Sequence, residues 1–242
     1  MASKVFIITG ASKGIGAAIT KYLLDQSHKV VITARSRGPL EELQRSHPDQ
    51  VQFIDGDMTQ SEMPTRLTDL AVSSFGRIDG IVINHGVLEP KRFADTSIDQ
   101  WKQLYDVNVF SGIAMAKAGL NELRKSKGCI VWVSSGAATG AYVAWGTYGS
   151  AKAVYNSVSA HIAAEEPDIT SVAITPGRVN TEMQGVLRSA GKDTMDKAQY
   201  ETFTEAYDKG TLLRPEQPGH VMAKFVASPL KELSGKFFKY VS

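Results

Sequence analysis

Short apolar runs alternate with longer segments of helical periodicity along most of the chain. Seven runs predict β-strands: Val5–Thr9, Val30–Ala34, Val51–Ile54, Ile78–Ile83, Cys129–Val133, Ser171–Thr175 and Phe237–Tyr240. Most are continuously apolar, which is typical of strands covered on both faces. Six segments predict helices: Ile15–Gln26, Leu40–Ser46, Gln60–Phe75, Ile98–Lys125, Tyr148–Glu165 and Gln217–Ala227. This alternation indicates βαβ units, and therefore an α/β fold built on a parallel sheet.

One long polar interruption, Asn180–Gly210, follows the sixth predicted strand. No linker, repeat or low-complexity segment divides the chain, so we predict a single domain over residues 1–242. Open parallel sheets bind ligands beyond the carboxyl ends of their strands. The segment at about 180–210 is therefore a candidate lid over a site. The alternative is a surface excursion without function.

Composition excludes several classes of protein. The chain has 242 residues, with 27 Lys+Arg against 25 Asp+Glu. No basic stripe is visible, so we expect no nucleic-acid partner. The single cysteine, Cys129, excludes an internal disulfide and a Cys-cluster zinc site, and we predict no metal site. The sequence shows no signal peptide and no apolar run of roughly 18 residues. We therefore expect a cytoplasmic protein without a membrane partner.

A glycine-rich segment joins the first predicted strand to the first predicted helix. Its spacing, G-x-x-x-G-x-G, differs from the G-x-G-x-x-G dinucleotide fingerprint, but the strand–loop–helix context is the same. Glycines allow close backbone approach, and a helix N-terminus offers free N–H groups to phosphate. A bare tight turn is the alternative. The predicted cofactor-binding residues of the loop are Gly10, Ser12, Lys13, Gly14, Ile15 and Gly16.

The end of the second predicted strand distinguishes between cofactors. NAD sites usually carry Asp or Glu about 20 residues after the loop, to bind the adenosine ribose. Here the chain reads Thr33-Ala34-Arg35-Ser36-Arg37, without an acid. Arg35, with Ser36 beside it and Lys13 in the loop, is suited to a 2′-phosphate. This favours NADP(H), whereas an isolated Arg35 would be read as a solvated surface residue.

Candidate catalytic groups lie around the fifth and sixth predicted strands. Tyr148 and Lys152 are four residues apart in a predicted helix, so their side chains share a face. A nearby ammonium lowers the pKa of a tyrosine hydroxyl from near 10, which prepares it for acid–base chemistry. Ser135 follows the preceding strand, where its hydroxyl can bind the carbonyl oxygen that Tyr148 protonates.

Together with Asn84-His85-Gly86, Asn108 and Pro176-Gly177, these motifs occur in an order and spacing that resemble the short-chain dehydrogenase/reductase family, in its shorter-subunit branch. The resemblance covers essentially the whole chain and is nearest to the benzil reductase and sepiapterin reductase subgroup. It implies a Rossmann-type doubly wound, seven-stranded, mainly parallel sheet with helices on both faces. It also implies a homodimer or homotetramer assembled through the helices at Ile98–Lys125 and Tyr148–Glu165.

The resemblance also implies roles for individual residues. Tyr148 would be the general acid in carbonyl reduction and Ser135 would orient the substrate oxygen. Lys152 would lower the pKa of Tyr148 and bind the nicotinamide ribose, and Asn108 would hold the water that links Lys152 to solvent. His85 departs from the family, which usually has alanine there; its ring is expected to alter packing beside the cofactor. The remaining implied cofactor contacts are Asp57, Met58, Asn84, Gly86, Pro176, Gly177, Val179 and Thr181.

These observations predict an NADPH-dependent carbonyl reductase acting on a small-molecule ketone or α-dicarbonyl. Tyr142, Trp145 and Met183 would join Ser135 and Tyr148 in an apolar, aromatic substrate pocket, unless they are ordinary packing residues. The alternatives are an NADP-dependent alcohol dehydrogenase working oxidatively and a non-catalytic NADP-binding sensor.

Overall fold

The structure is a computed structural model that describes residues 3–240, so the two residues at each end of the predicted 1–242 domain lie outside it. In the described part of the chain, the strands are β1 (Val5–Thr9), β2 (Lys29–Ala34), β3 (Val51–Asp55), β4 (Gly80–Ile83), β5 (Cys129–Val133), β6 (Thr170–Thr175) and β7 (Phe237–Lys239). The α-helices are α1 (Gly14–Asp25), α2 (Arg37–Ser46), α3 (Met63–Phe75), α4 (Ile98–Tyr105), α5 (Ser111–Ser126), α6 (Gly146–Glu165), α7 (Glu182–Ala190), α8 (Lys197–Asp208) and α9 (Glu216–Ala227).

The strands form one sheet in the order β3-β2-β1-β4-β5-β6-β7. Every pairing among the described strands is parallel, for example Ile7 with Val31 on one side and with Ile81 on the other. The predicted Rossmann-type doubly wound fold is therefore confirmed. The strand order reverses between β1 and β4, and connections leave this pair towards opposite faces, which is where such sheets bind ligands.

Both faces of the sheet are covered, because alternate strand residues point to opposite sides. Phe6 and Ile8 of β1 belong to the apolar core beneath α1 and α9, whereas Ile7 belongs to the core on the other face, with Trp132 and Tyr155. All five are fully buried. The continuously apolar strands of the sequence follow from this two-sided burial.

The predicted helix Ile98–Lys125 is not continuous. A π-helical turn at Asp106–Phe110 separates α4 from α5. The turn contains Asn108, whose side chain accepts a hydrogen bond from the Val87 N–H at 2.8 Å and donates one to the Val87 carbonyl oxygen at 2.7 Å. The turn brings the Asn108 side chain to the loop after β4. Such π-helical turns are often found at functional sites.

Two features are absent from residues 3–240. No helix there is both long and apolar enough to cross a membrane. No three His, Cys, Asp or Glu side chains in the same range lie close enough together to hold a metal ion.

The Tyr155 hydroxyl is buried without a hydrogen-bond partner among the described residues. Its ring packs on Trp132, with centroids 4.9 Å apart. Tyr155→Phe keeps this contact and removes the unsatisfied group, so we expect the free energy of unfolding to rise by about 1 kcal/mol. Urea denaturation with a constant m-value measures the change. A loss of stability of similar size would mean that the phenol has an acceptor and that its burial is favourable.

Candidate active site

A cleft of about 1230 Å³ opens at the carboxyl end of the sheet, at the switch between β1 and β4. The structure brings nearly all of the predicted site residues into its wall. These are Gly10, Ser12, Lys13, Gly14, Ile15, Arg35, Ser36, Asp57, Met58, Asn84, Gly86, Ser135, Tyr142, Trp145, Tyr148, Lys152, Pro176, Gly177, Val179, Thr181 and Met183. The two exceptions, Gly16 and Asn108, lie behind the wall.

The glycine loop needs its glycines for two reasons. Gly10 and Gly14 have φ of 67° and 56°, a region that strongly favours glycine. A Cβ on Gly16 would lie 2.2 Å from the Gly10 carbonyl oxygen, so only glycine allows α1 to begin so close to the loop. Lys13, at the N-cap of α1, makes no side-chain capping bond, which leaves first-turn N–H groups for an anion. This is a cradle that fits a dinucleotide diphosphate.

Asn84, the first residue after β4, joins the two strands at the switch. Its side-chain amide donates to the carbonyl oxygens of Thr9 and Gly10, both at 3.0 Å, and its main-chain N–H donates to the Thr9 hydroxyl at 3.0 Å. The side chain therefore satisfies carbonyl groups that β1 leaves unpaired where the chain turns into the loop. Its contact is with the loop backbone, so a role at the adenosine ribose stays a prediction.

His85 is held between the strand and helix layers. Its Nδ1 lies 2.7 Å from the Thr9 hydroxyl and its Nε2 2.7 Å from the Ser111 hydroxyl. Burial, aided by the charge of Lys152, lowers the pKa of His85 to about 3, so the ring is neutral at ordinary pH. Each of the two hydroxyls also has a main-chain acceptor, Val82 for Thr9 at 3.2 Å and Val107 for Ser111 at 2.7 Å, so the neutral ring donates to one hydroxyl and accepts from the other. Because histidine stands here instead of alanine, side-chain hydrogen bonds connect the loop after β4 to α5.

Two arginines at the end of β2 differ in their surroundings. Arg37 donates to Asp55 at 2.9 Å and lies 5.2 Å over the Phe53 ring, away from the cleft lining. Arg35 is exposed in the cleft wall and forms no ion pair with a described residue. Of the two, Arg35 is the one available to an anionic ligand.

Lys13 has a partner that the sequence did not predict. It pairs with Glu182, the first residue of α7, so the glycine loop is linked to the candidate lid. Both side chains are largely exposed, so this pair contributes little to stability.

Asp57 forms a tight turn with Thr59, accepting its N–H and hydroxyl at 2.9 Å each, and these bonds lower the pKa of the carboxyl.

The candidate catalytic residues meet at the other end of the cleft. Tyr148 and Lys152 occupy adjacent turns of α6 and are 6% and 3% exposed. The Lys152 ammonium donates to the Val133 carbonyl oxygen at 2.8 Å and lies 5.8 Å from the centre of the Tyr148 ring. Ser135 begins the turn after β5, where its hydroxyl accepts the Ala137 N–H at 3.1 Å. Strand, turn and helix thus place three polar groups in one apolar corner.

Burial dominates the titration of this corner. It raises the pKa of Tyr148 to about 12, while the Ser135 hydroxyl acts in the opposite direction. Burial likewise lowers the pKa of Lys152 to about 7. The pKa of Tyr148 is therefore raised overall because desolvation dominates, and the lowering of this pKa by Lys152 stays a prediction. A phenol with a high pKa stays protonated, which is the form that a general acid requires.

Asn108 lies behind this corner and is fully buried. A Cβ on Gly86 would lie 2.9 Å from Asn108 Oδ1 and 3.6 Å from Lys152 Nζ, so Gly86 allows both side chains to approach the loop. The Asn108 side chain is engaged in both directions by Val87. Its role in holding a water stays a prediction.

The substrate end of the cleft is aromatic. The Trp145 ring is edge-on to Tyr148, with centroids 5.8 Å apart, and is stacked on Phe203 at 5.4 Å. Tyr142 contacts Trp145 at 5.2 Å, and Met183 packs on the same cluster. The segment predicted as a lid contains two helices, α7 and α8, and Phe203 of α8 belongs to this aromatic wall. The wall residues that sequence reasoning missed include Arg178, Arg188, Phe203 and Tyr207.

A usable signal for two of them was present in the sequence. Tyr200, Phe203 and Tyr207 follow the i, i+3, i+7 spacing of an apolar helix face. The interruption at 180–210 therefore contained a second amphipathic helix, α8, whose aromatic face could have been assigned to the pocket.

The lowered pKa of Lys152 makes stability depend on pH. The unfolded chain binds a proton at this lysine up to the ordinary lysine pKa of 10.5, and the folded chain only up to a pKa of about 7. Stability linked to this group therefore rises with pH between about 7 and 10.5. We expect this rise, measured by urea denaturation, to be smaller in Lys152→Met. Parallel stability–pH curves for the two proteins would contradict the assignment.

Similarity to known proteins agrees with this arrangement. The profile of the short chain dehydrogenase family matches residues 4–192. An uncharacterized oxidoreductase of Schizosaccharomyces pombe is 38% identical over 100% of this chain and 98% of its own length. A benzil reductase, (S)-benzoin forming, of Saccharomyces cerevisiae is 36% identical over 98% and 95%. The crystal structure of a short-chain dehydrogenase/reductase from the same yeast has a TM-score of 0.96, 34% identity, and coverage of 99% and 97%. The chain belongs to the short-chain dehydrogenase family of oxidoreductases.

Proposed function

We propose that the protein is an NADPH-dependent carbonyl reductase that converts a ketone or α-dicarbonyl to the corresponding alcohol, with Tyr148 as general acid. The observation that carries the proposal is the convergence of Tyr148, Ser135 and Lys152 in one buried corner of a cleft whose opposite end is a glycine cradle. A binding protein without a reaction does not need a buried phenol and a buried ammonium side by side.

The cleft suits a dinucleotide that carries an extra phosphate. The glycine loop and the uncapped start of α1 accommodate the diphosphate. Arg35 and Lys13 flank the adenosine end, and its wall contains no acid at the end of β2 to bind a ribose hydroxyl. In this arrangement Lys13 exchanges Glu182 for the 2′-phosphate. When bound, the cofactor supplies the hydride.

The residues of the chain then orient the substrate and deliver the proton. Ser135 donates a hydrogen bond to the reacting carbonyl oxygen, and Tyr148 gives its phenolic proton to that oxygen as hydride adds to the carbon. One hydride and one proton thus add across the C=O bond and form an alcohol. The Lys152 ammonium stabilises the remaining tyrosinate, and solvent returns a proton through the water that Asn108 would hold beside Lys152.

The substrate proposal rests on the aromatic wall and on a relative. Trp145, Phe203 and Tyr142 offer flat apolar surfaces to an aryl group beside Tyr148. The Saccharomyces cerevisiae relative that is 36% identical is named a benzil reductase, and benzil is an aryl α-diketone. We propose α7 and α8 as the lid, because Leu187 and Phe203 already pack over Trp145 and Tyr148.

We also propose that the protein acts as a homodimer or homotetramer in the cytoplasm. Large apolar side chains stand out from α4 and from the π-helical turn: Ile98 is 69% and Phe110 58% exposed. Contact with a second copy along α4, α5 and α6 would remove them from water.

Removing the acid tests the mechanism. In Tyr148→Phe the ring and its contact with Trp145 remain, but the transferable proton is lost. We expect turnover of ketones to fall by at least about 100-fold, the usual contribution of a positioned acid, with NADPH binding unchanged in fluorescence titration. Full activity in this variant would refute the mechanism, and tight NADPH binding by the unmodified protein without reduction of any ketone would favour a sensor.

Reversing the charge at the end of β2 tests the cofactor. Arg35→Asp removes a charged partner of the 2′-phosphate, worth about 1.5–3 kcal/mol. We expect the ratio of kcat/KM for NADPH to that for NADH to fall roughly 10- to 100-fold. Arg37→Asp is the matched control, because Arg37 is tied to Asp55 away from the cleft. An unchanged ratio in Arg35→Asp, or an equal fall in both variants, would contradict the NADP assignment.

A further inference from the structure

Several polar side-chain atoms in the cleft wall are buried without a hydrogen-bond partner in the described part of the chain. Within residues 3–240, five buried side-chain atoms lack a hydrogen-bond partner, and three of them belong to wall residues of the cleft: Trp145 Nε1, Gln184 Oε1 and Arg188 Nη1. Buried polar groups in native proteins are nearly always paired, and an unpaired one is destabilising. A cluster of three in a ligand cleft indicates that a ligand supplies the missing partners.

Trp145 is the member of this cluster nearest to the chemistry. It immediately precedes α6, is 7% exposed, and its ring is edge-on to the Tyr148 ring at 5.8 Å between centroids. An indole N–H can only donate, so its missing partner is an acceptor. The other two atoms lie on α7, and Arg188 is stacked 3.8 Å over the Tyr207 ring, farther along the wall.

The wall that covers this donor belongs to the lid. Phe203 of α8 is stacked on the indole, and Leu187 of α7 belongs to the same buried cluster. Both helices lie outside the sheet, and they contact the start of α6 through side chains. A substrate that parts Phe203 from Trp145 therefore brings the N–H into contact with its own acceptor.

In the proposed mechanism Tyr148 and Ser135 take the reacting carbonyl oxygen, and the ring that carries the unpaired donor packs against Tyr148. We propose that the indole N–H of Trp145 binds the second carbonyl oxygen of a vicinal dicarbonyl, and that this bond makes the enzyme prefer such substrates to monoketones. The inference rests on the proposed carbonyl reductase function and assigns its selectivity to one atom.

The test compares substrates that differ in one oxygen. 1-Phenylpropane-1,2-dione carries both carbonyls, and propiophenone and phenylacetone each carry one of them. Trp145→Phe keeps an aromatic ring against Tyr148 and Phe203 but lacks the N–H. We expect the ratio of kcat/KM for the dione to that for either monoketone to fall roughly 3- to 10-fold. The monoketones report the change in packing that both kinds of substrate share, and the ratio cancels it.

Two further variants distinguish the effect of the N–H donor from the effect of the aromatic ring. Trp145→His, assayed at pH 8 where an unperturbed imidazole is neutral, keeps an N–H and should retain part of the preference for the dione. Trp145→Leu, which also lacks the N–H, replaces the phenylalanine variant if that protein does not fold by circular dichroism. In a Tyr148→Phe background, where turnover is blocked, calorimetry should show weaker dione binding once Trp145 is also Phe.

The outcomes distinguish the two proposals. If the unmodified enzyme oxidises NADPH with none of the three ketones, the carbonyl reductase function and the second-oxygen site both fail. If it reduces them but the ratio is unchanged in Trp145→Phe, the second-oxygen site alone is overturned. A fall in the ratio that Trp145→His partly restores supports the site.

Discussion

The carboxyl ends of β1 and β4 are held together by hydrogen bonds, and the cleft depends on them. As the connections leave these strands towards opposite faces, the main-chain carbonyls of Thr9 and Gly10 lose their sheet partners, and the Asn84 side chain takes their place. The Thr9 hydroxyl accepts the Asn84 N–H and bonds to His85, which continues the network to Ser111 on α5. Polar side chains thus substitute for the sheet where the sheet opens.

A second consequence of this geometry is that the chemistry lies in a dry corner. Because β5 ends beside α6, Lys152 is buried against the Val133 carbonyl oxygen and Tyr148 beneath the lid helices. Burial moves the pKa of Lys152 down and that of Tyr148 up, so each is pushed towards its neutral form. The same desolvation that is costly for folding strengthens the electrostatic interactions that the two groups make.

The lid closes the corner with aromatic rings rather than with charges. Phe203 and Leu187 bury Trp145, and the Lys13–Glu182 pair is an exposed link between α7 and the glycine loop. An exposed ion pair is weak, whereas apolar contacts over the active residues are strong. Separating α7 from the glycine loop is therefore easier than separating α8 from Trp145.

The sequence by itself determined the α/β alternation and the parallel sheet, because burial on both faces requires continuously apolar strands. It also determined many of the candidate site residues, because a glycine loop and a Tyr-x-x-x-Lys pair are local patterns. It did not determine the π-helical turn at Asn108, the Lys13–Glu182 pair or the stacking of Phe203 on Trp145. Each of these joins residues distant in the chain, and no local period records such a contact. The pKa of Tyr148 belongs to the same group: neighbouring residue types predicted a lowered value, and burial, which only the tertiary structure sets, raised it.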